Sequence, residues 1–237
     1  MFANAADYFS VSIGGGCPRG HANALACTTD QVRRYVLGWT GACFDPQMNV
    51  PWWNDNHINA SDLYGVAALS MPRFIQSNTL RAACNVFNVN AAAAAKAKCA
   101  PTCTAHATCI LSQIPARADI WDQNALVYIN LAGVLWSWLA QHRPTGIGPV
   151  GISKLISRKR PHLAPVLDRT SMARMRQHNG GRRPPSYYLC FHSEVSALGA
   201  TLATQIAGVR AAAGVPPWVS DIRVIDIGIW FEHNVGC

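Results

Sequence analysis

Apolar residues return every three or four positions along most of this chain, and strict two-residue alternation is rare, so helices rather than strands are expected. Thr28 and Gln31 are spaced as a capping box, and Val32, Val36 and Trp39 form the stripe of a first helix behind it. Leu63, Val66 and Leu69 mark a second helix from Ser61 to Met71, which Pro72 stops. Between the two, Phe44 to Asn59 carries Trp52 and Trp53 and reads as an ordered loop that packs its aromatics into a groove. Ala91 to Ala95 has high helix propensity without a defined apolar face, so a low-complexity segment is the competing description. Leu126, Ile129, Gly133, Trp136 and Ala140 share a helical face, and after a turn Ile152, Leu155 and Ile156 share another. Past Pro161, His162 to Leu167 is expected to be extended. Asp168 then stands at the N-cap position of a helix from Arg169 to Gln177, which Asn179-Gly180-Gly181 ends. Val195, Leu198, Leu202, Ile206 and Val209 mark a long amphipathic helix, and Ser220 caps a last one on which Arg223 and Asp226 can pair.

The fold class that follows is all-α. Residues 1–26 lack any period and read as a loose lead-in, while 27–237 is expected to form a single compact helical domain, undivided or as two lobes about a cleft. No Gly-rich nucleotide loop and no internal repeat interrupts this pattern.

The turn between the paired helices is the most informative stretch. Over 125–158 the chain predicts a helical hairpin whose corner is Gly146-Ile147-Gly148-Pro149. The two glycines allow a tight reversal, and Pro149 suits the first position of the second helix. Such a corner presents bare amides at the positive end of a helix, where an anion such as a backbone phosphate can sit. DNA is therefore the expected partner.

The charge pattern supports the same expectation. Nine of the 20 basic residues fall between Lys154 and Arg183 against one acid, Asp168, so this segment holds the whole formal excess of +8 and the remainder is balanced. A concentrated positive field attracts polyanions, although a solvated basic face is the competing account. Nine cysteines, an odd number in a chain of 237 residues, point to reduced thiols and a cytoplasmic setting. No signal peptide is evident at the start, and the apolar run Ala125 to Ala140 is shorter than the roughly 20 residues a bilayer span needs, so no membrane partner is expected.

Gly146-Ile147-Gly148-Pro149 followed by Ile152, Leu155 and Ile156 resembles the second half of a helix-hairpin-helix element, the DNA-binding hairpin of many repair proteins. A longer resemblance runs through Ser153-Lys154-Leu155-Ile156-Ser157-Arg158-Lys159-Arg160-Pro161, Pro165-Val166-Leu167-Asp168, Ile114-Pro115, Asp119-Ile120-Trp121, Thr40-Gly41-Ala42, Asp62-Leu63 and Arg223-Val224-Ile225-Asp226. These resemble an uncharacterised bacterial family, domain of unknown function 6308, which brings no activity with it. An Asp some twenty residues after the hairpin glycine also resembles the arrangement of helix-hairpin-helix DNA glycosylases. That resemblance implies a glycosylase-like fold and places Asp168 where the catalytic carboxylate lies.

By this reading the amides near Gly146, Ile147, Gly148 and Val150 hold phosphates, and Lys154, Arg158, Lys159 and Arg160 add charge without specifying sequence. Asp168 would stabilise an oxocarbenium-like sugar and orient a water, while its bland role is a helix cap. The chain departs from the glycosylase pattern twice. Val150 occupies the place of the Schiff-base lysine of bifunctional members, with Lys154 a turn later, and no cysteine cluster follows Asp168 to hold an iron-sulfur centre. Cys99, Cys103, His106 and Cys109 match no zinc spacing, so buried thiols are expected there rather than a metal, and no cofactor is expected elsewhere. Three functions stay open: DNA binding without established catalysis, a monofunctional glycosylase using Asp168, and an interaction module whose basic face takes an acidic protein or RNA.

Overall fold

In the computed structural model the described residues are 24–38, 56–68, 82–87, 92–93, 95, 102–143, 146–169, 172 and 186–235. Among them the chain is helical, with no strand: α1 Ala24–Gly38, α2 Ala60–Ala68, α3 Ala107–Ser112, α4 Ala125–His142, α5 Pro149–Lys159, α6 Ser186–Ala213 and α7 Asp221–Val235. Residues 82–87 form a further helical turn. The expectations for most of the lead-in, most of the aromatic loop, Cys99, and Arg174, Arg176, Arg182 and Arg183 fall outside the described residues.

The helix α5 lies at the centre. It packs on α2 on one side and α4 on another, while α3 covers α4, and α6 bridges α4 to the pair formed by α1 and α7. One cluster of buried side chains takes members from all seven helices, among them Val32, Leu63, Ile110, Ile129, Leu155, Phe191 and Ile225. At roughly 1.5–3 kcal/mol for each large apolar side chain removed from water, this cluster is the main force that closes the fold. No described helix is long and apolar enough to cross a membrane.

Three elements differ in detail from the pattern read along the chain. The helix α1 starts at Ala24, one turn early, so Thr28 and Gln31 lie inside it and are buried rather than capping its start. The helix α4 buries Ala125, Ile129, Ala132, Gly133, Leu135, Trp138 and Leu139, which leaves Leu126 and Val127 half exposed, so its inner face is rotated from the expected one. This helix is apolar on every side, and periodicity cannot choose a face where polar residues do not mark the outside. The helix α6 is broken at Gly199, where φ is 46° and ψ is −129°.

The ends of α2 and α7 are set by local side chains. Asn59 Oδ1 accepts from the Ser61 amide at 2.9 Å, and the Asp62 carboxylate accepts from the Asn59 amide at 3.0 Å, a reciprocal box that fixes the start of α2. Ser220 Oγ accepts from the Arg223 amide at 3.1 Å and donates to the Pro161 carbonyl at 2.5 Å, which ties the start of α7 to the end of α5.

Candidate functional site

The hairpin corner is present and open. Gly146 is exposed with φ at 97°, a conformation that glycine adopts without strain. Ile147 behind it is buried and anchors the corner to the core. Gly148 is the N-cap of α5 with Pro149 following at the first position, and no side chain caps the helix. A Cβ built on Gly148 would meet nothing within 4 Å. The Ile152 amide donates to the Gly148 carbonyl at 3.1 Å, and among the described residues the amides of Val150 and Gly151 ahead of it have no acceptor. At the end of α4 the His142 ring stacks on Trp138, with centroids 4.1 Å apart and planes 13° from parallel, and its Nδ1 donates to the Trp138 carbonyl at 2.8 Å. His142 and Arg143 are both exposed beside the corner.

The basic residues of α5 are turned into the protein. Lys154, Arg158, Lys159 and Arg160 retain 7%, 8%, 0% and 0% of their exposure. Arg158 Nε lies 3.2 Å from one oxygen of Asp62 and Lys159 Nζ 2.7 Å from the other, while Asp62 itself is wholly buried. Arg160 donates to the carbonyls of Ile114 at 2.9 Å, Leu111 at 2.5 Å and Lys159 at 2.7 Å, and to Asn56 Oδ1 at 2.8 Å. Five donors in a rigid plane let one arginine gather carbonyls that no lysine could serve together. The Arg158 guanidinium also lies against the backbone of α2 at Gly65, where a Cβ would come 2.5 Å from its Cζ.

Of the stretch His162 to Leu167, expected to be extended, the first part is instead a turn, in which the Leu163 and Ala164 amides both donate to the Arg160 carbonyl, and the chain then runs without regular structure, buried from Ala164 through Leu167. Two of its amides are satisfied by side chains from separate helices: Val166 donates to Asp226 at 2.9 Å, and Leu167 donates to Ser153 Oγ at 2.6 Å. The wholly buried Tyr188 hydroxyl donates to the same Ser153 oxygen at 3.4 Å, and burial pushes its own pKa up. Asp226 pairs with Arg223 at 2.8 Å, as expected from their spacing, and Arg223 also donates to Ser157 Oγ at 3.1 Å. The stretch ends on Asp168, which is half-buried and whose carbonyl accepts from the Met172 amide at 2.8 Å. That contact makes Asp168 the start of a helical turn.

Lys154 lies near enough to Asp168 to feel its charge. Burial brings the Lys154 ammonium down to about 8, against the pull of the Asp168 carboxylate and helped by repulsion from Arg223. Burial lowers the Lys159 ammonium as well, and Asp62 offsets part of that effect.

The structure therefore brings Gly146, Ile147, Gly148 and Val150 together at the corner and places Lys154 with Asp168. It holds Arg158, Lys159 and Arg160 on the interior side of α5. Cys103 and Cys109 form no disulfide, and among the described residues no group of three His, Cys, Asp or Glu side chains is placed to hold a metal. Periodicity gave no sign of Asp62 as the partner of this basic run, because it is 96 residues away from Arg158.

A family model described as a family of unknown function, DUF6308, matches residues 28–233. The chain belongs to that family. No curated protein and no solved structure matches it. The DUF6308 match extends from α1 into α7, so the corner, the Asp62 cluster, Asp168 and the Arg223–Asp226 pair are all parts of the family domain.

Proposed function

We propose that this DUF6308 protein binds the phosphodiester backbone of DNA at the hairpin corner, without reading base sequence, in a helix-hairpin-helix manner. The observation that carries the proposal is the start of α5 at the glycine corner, where no side chain caps the helix, Gly146 is exposed, Val150 is half-buried and a Cβ on Gly148 would meet nothing within 4 Å. His142 and Arg143, a few residues before that start in the chain, are exposed and add basic groups at the end of α4. The cations of α5 act here as a field from beneath rather than as contacts, so few counterions should be released and the salt dependence should be shallow, on the order of one or two phosphates.

Gly148→Asp tests this without threatening the fold. The new side chain enters open space, caps α5 and so stabilises it by about a few tenths of a kcal/mol, yet it sets a carboxylate where the phosphate would sit. Binding of a labelled duplex at low salt should fall at least about tenfold, the equivalent of 1.4 kcal/mol, while the melting temperature holds or rises. Equal binding by this variant would remove the corner from the interface. If the unaltered protein fails to bind duplex at low salt, an acidic protein or RNA becomes the partner to test.

One observation favours base excision as a second reading. Asp168 is half-buried, within electrostatic reach of Lys154, at the end of a stretch whose backbone is fixed by Ser153 and Asp226. Release of bases from damaged duplex, lost in Asp168→Asn while binding persists, would support it. No release from any damaged duplex leaves Asp168 as a helix start only.

A further inference from the structure

The geometry points to a two-state joint at Gly199: α6 is encoded as one continuous rod and is held here in a broken form, with a straight form as its second state. Apart from Tyr187 at its start, the buried residues of α6, Tyr188, Phe191, Val195, Leu198, Leu202, Ile206, Val209 and Ala213, keep intervals of three and four straight through the break. A permanent break frees the two halves from a common phase, because each then packs on its own. An unbroken phase is what a single helix requires.

No proline lies in α6 to cause the break, and among the described residues nothing comes within 4 Å of a Cβ built on Gly199, so no close contact on that side holds the position bent. The observed angles, φ 46° and ψ −129°, belong to a region open essentially to glycine. Position 199 is thus a residue that tolerates both the broken and the helical backbone, inside a stripe that fits the helical one.

The two arms are fastened to different parts of the molecule. The first arm reaches the hairpin side, where Tyr188 donates to Ser153, the same oxygen that holds the Leu167 amide next to Asp168. The second arm is fastened to α1 and α7: the Ala212 carbonyl accepts from Arg33 at 2.6 Å, and Arg210 donates to the Val219 carbonyl at 2.5 Å and lies 3.4 Å from Asp221. Straightening at Gly199 moves one fastening relative to the other. It therefore links the outer α1 surface to the stretch that places Asp168, whatever the corner binds.

Gly199→Ala decides the matter, with Gly208→Ala as its scale. Gly208 lies in the same helix, and a Cβ there also meets nothing within 4 Å, so that variant reads the gain from helix propensity alone. If the straight form is accessible, Gly199→Ala folds and raises Tm by about 2–4 °C, as Gly208→Ala does. In the unaltered protein, relaxation dispersion at the amides of 197–202 shows exchange, which the alanine quenches. A fall in Tm or failure to fold for Gly199→Ala alone, or flat dispersion in the unaltered protein, makes the break permanent and overturns the joint.

Discussion

Replacing Asp62 with Asn removes one charge and little else. The amide keeps the shape of the carboxylate and can still accept from the Asn59 amide, so the start of α2 is preserved. What it loses is the attraction of two cations at 2.7 Å and 3.2 Å in a place closed to water. With an effective dielectric constant of about 20, those separations correspond to gross attractions of about 6 and about 5 kcal/mol. The cost of dehydrating three charged groups and the repulsion between Arg158 and Lys159 oppose most of this. Measured losses on breaking one side of a buried pair are about 3–5 kcal/mol, and two orphaned cations place Asp62→Asn at the upper end of that range. A domain of ordinary stability holds about 5–15 kcal/mol in all, so the variant should be close to unfolding at 37 °C. Urea unfolding followed by circular dichroism measures the difference directly. Adding Lys159→Met to the variant should return part of the loss, since one orphaned charge then disappears. A cost below about 1 kcal/mol for Asp62→Asn is the value expected of a surface pair. That result would mean that Arg158 and Lys159 face water, and it would return them to the DNA-binding surface.

Two other substitutions probe the same interior. Gly65→Ala should lower stability by about 1–3 kcal/mol although alanine favours helix, because its Cβ would enter the guanidinium of Arg158 while Asp62 holds that group in place; thermal melts would show this, and an unchanged Tm would mean the guanidinium moves freely. Lys154→Met should stabilise at pH 7 by up to about 3 kcal/mol, since the folded lysine titrates at about 8 against 10.5 when unfolded and its burial is unfavourable while charged. The folded pKa is the lower one, so the penalty is complete below pH 8 and fades as pH rises towards 10.5. The gap between variant and parent, measured by urea unfolding at pH 7 and pH 10, should therefore shrink at the higher pH, and a gap independent of pH would contradict the burial of the ammonium.

Periodicity and turn chemistry were enough to show the helical class, the hairpin about Gly146 to Pro149, and the Ser220 start of α7. Each of these is a local property, decided within a few residues. The inner face of α4 was not legible, because Leu126, Val127 and Val134 on its outer side are as apolar as Ile129 and Leu135 within. The fate of the basic run was not legible either. Arg158-Lys159-Arg160 has the composition of a solvated patch, and its burial depends on Asp62, Asn56 and the carbonyls of Leu111 and Ile114, all of them distant along the chain. The break in α6 leaves no trace in the spacing of its apolar residues.

The Val166 and Leu167 amides borrow their hydrogen-bond partners from side chains, one on α7 and one on α5. A nascent chain that has emerged only as far as α6 therefore has nothing to offer the Val166 amide, and leaving such a group buried and unmatched costs about 1–3 kcal/mol. The middle of the molecule should stay unlocked during synthesis until residues near Asp226 arrive. A chain cut short before Ser220 would then be a target for proteases at its centre, well upstream of the cut, rather than only at its new end.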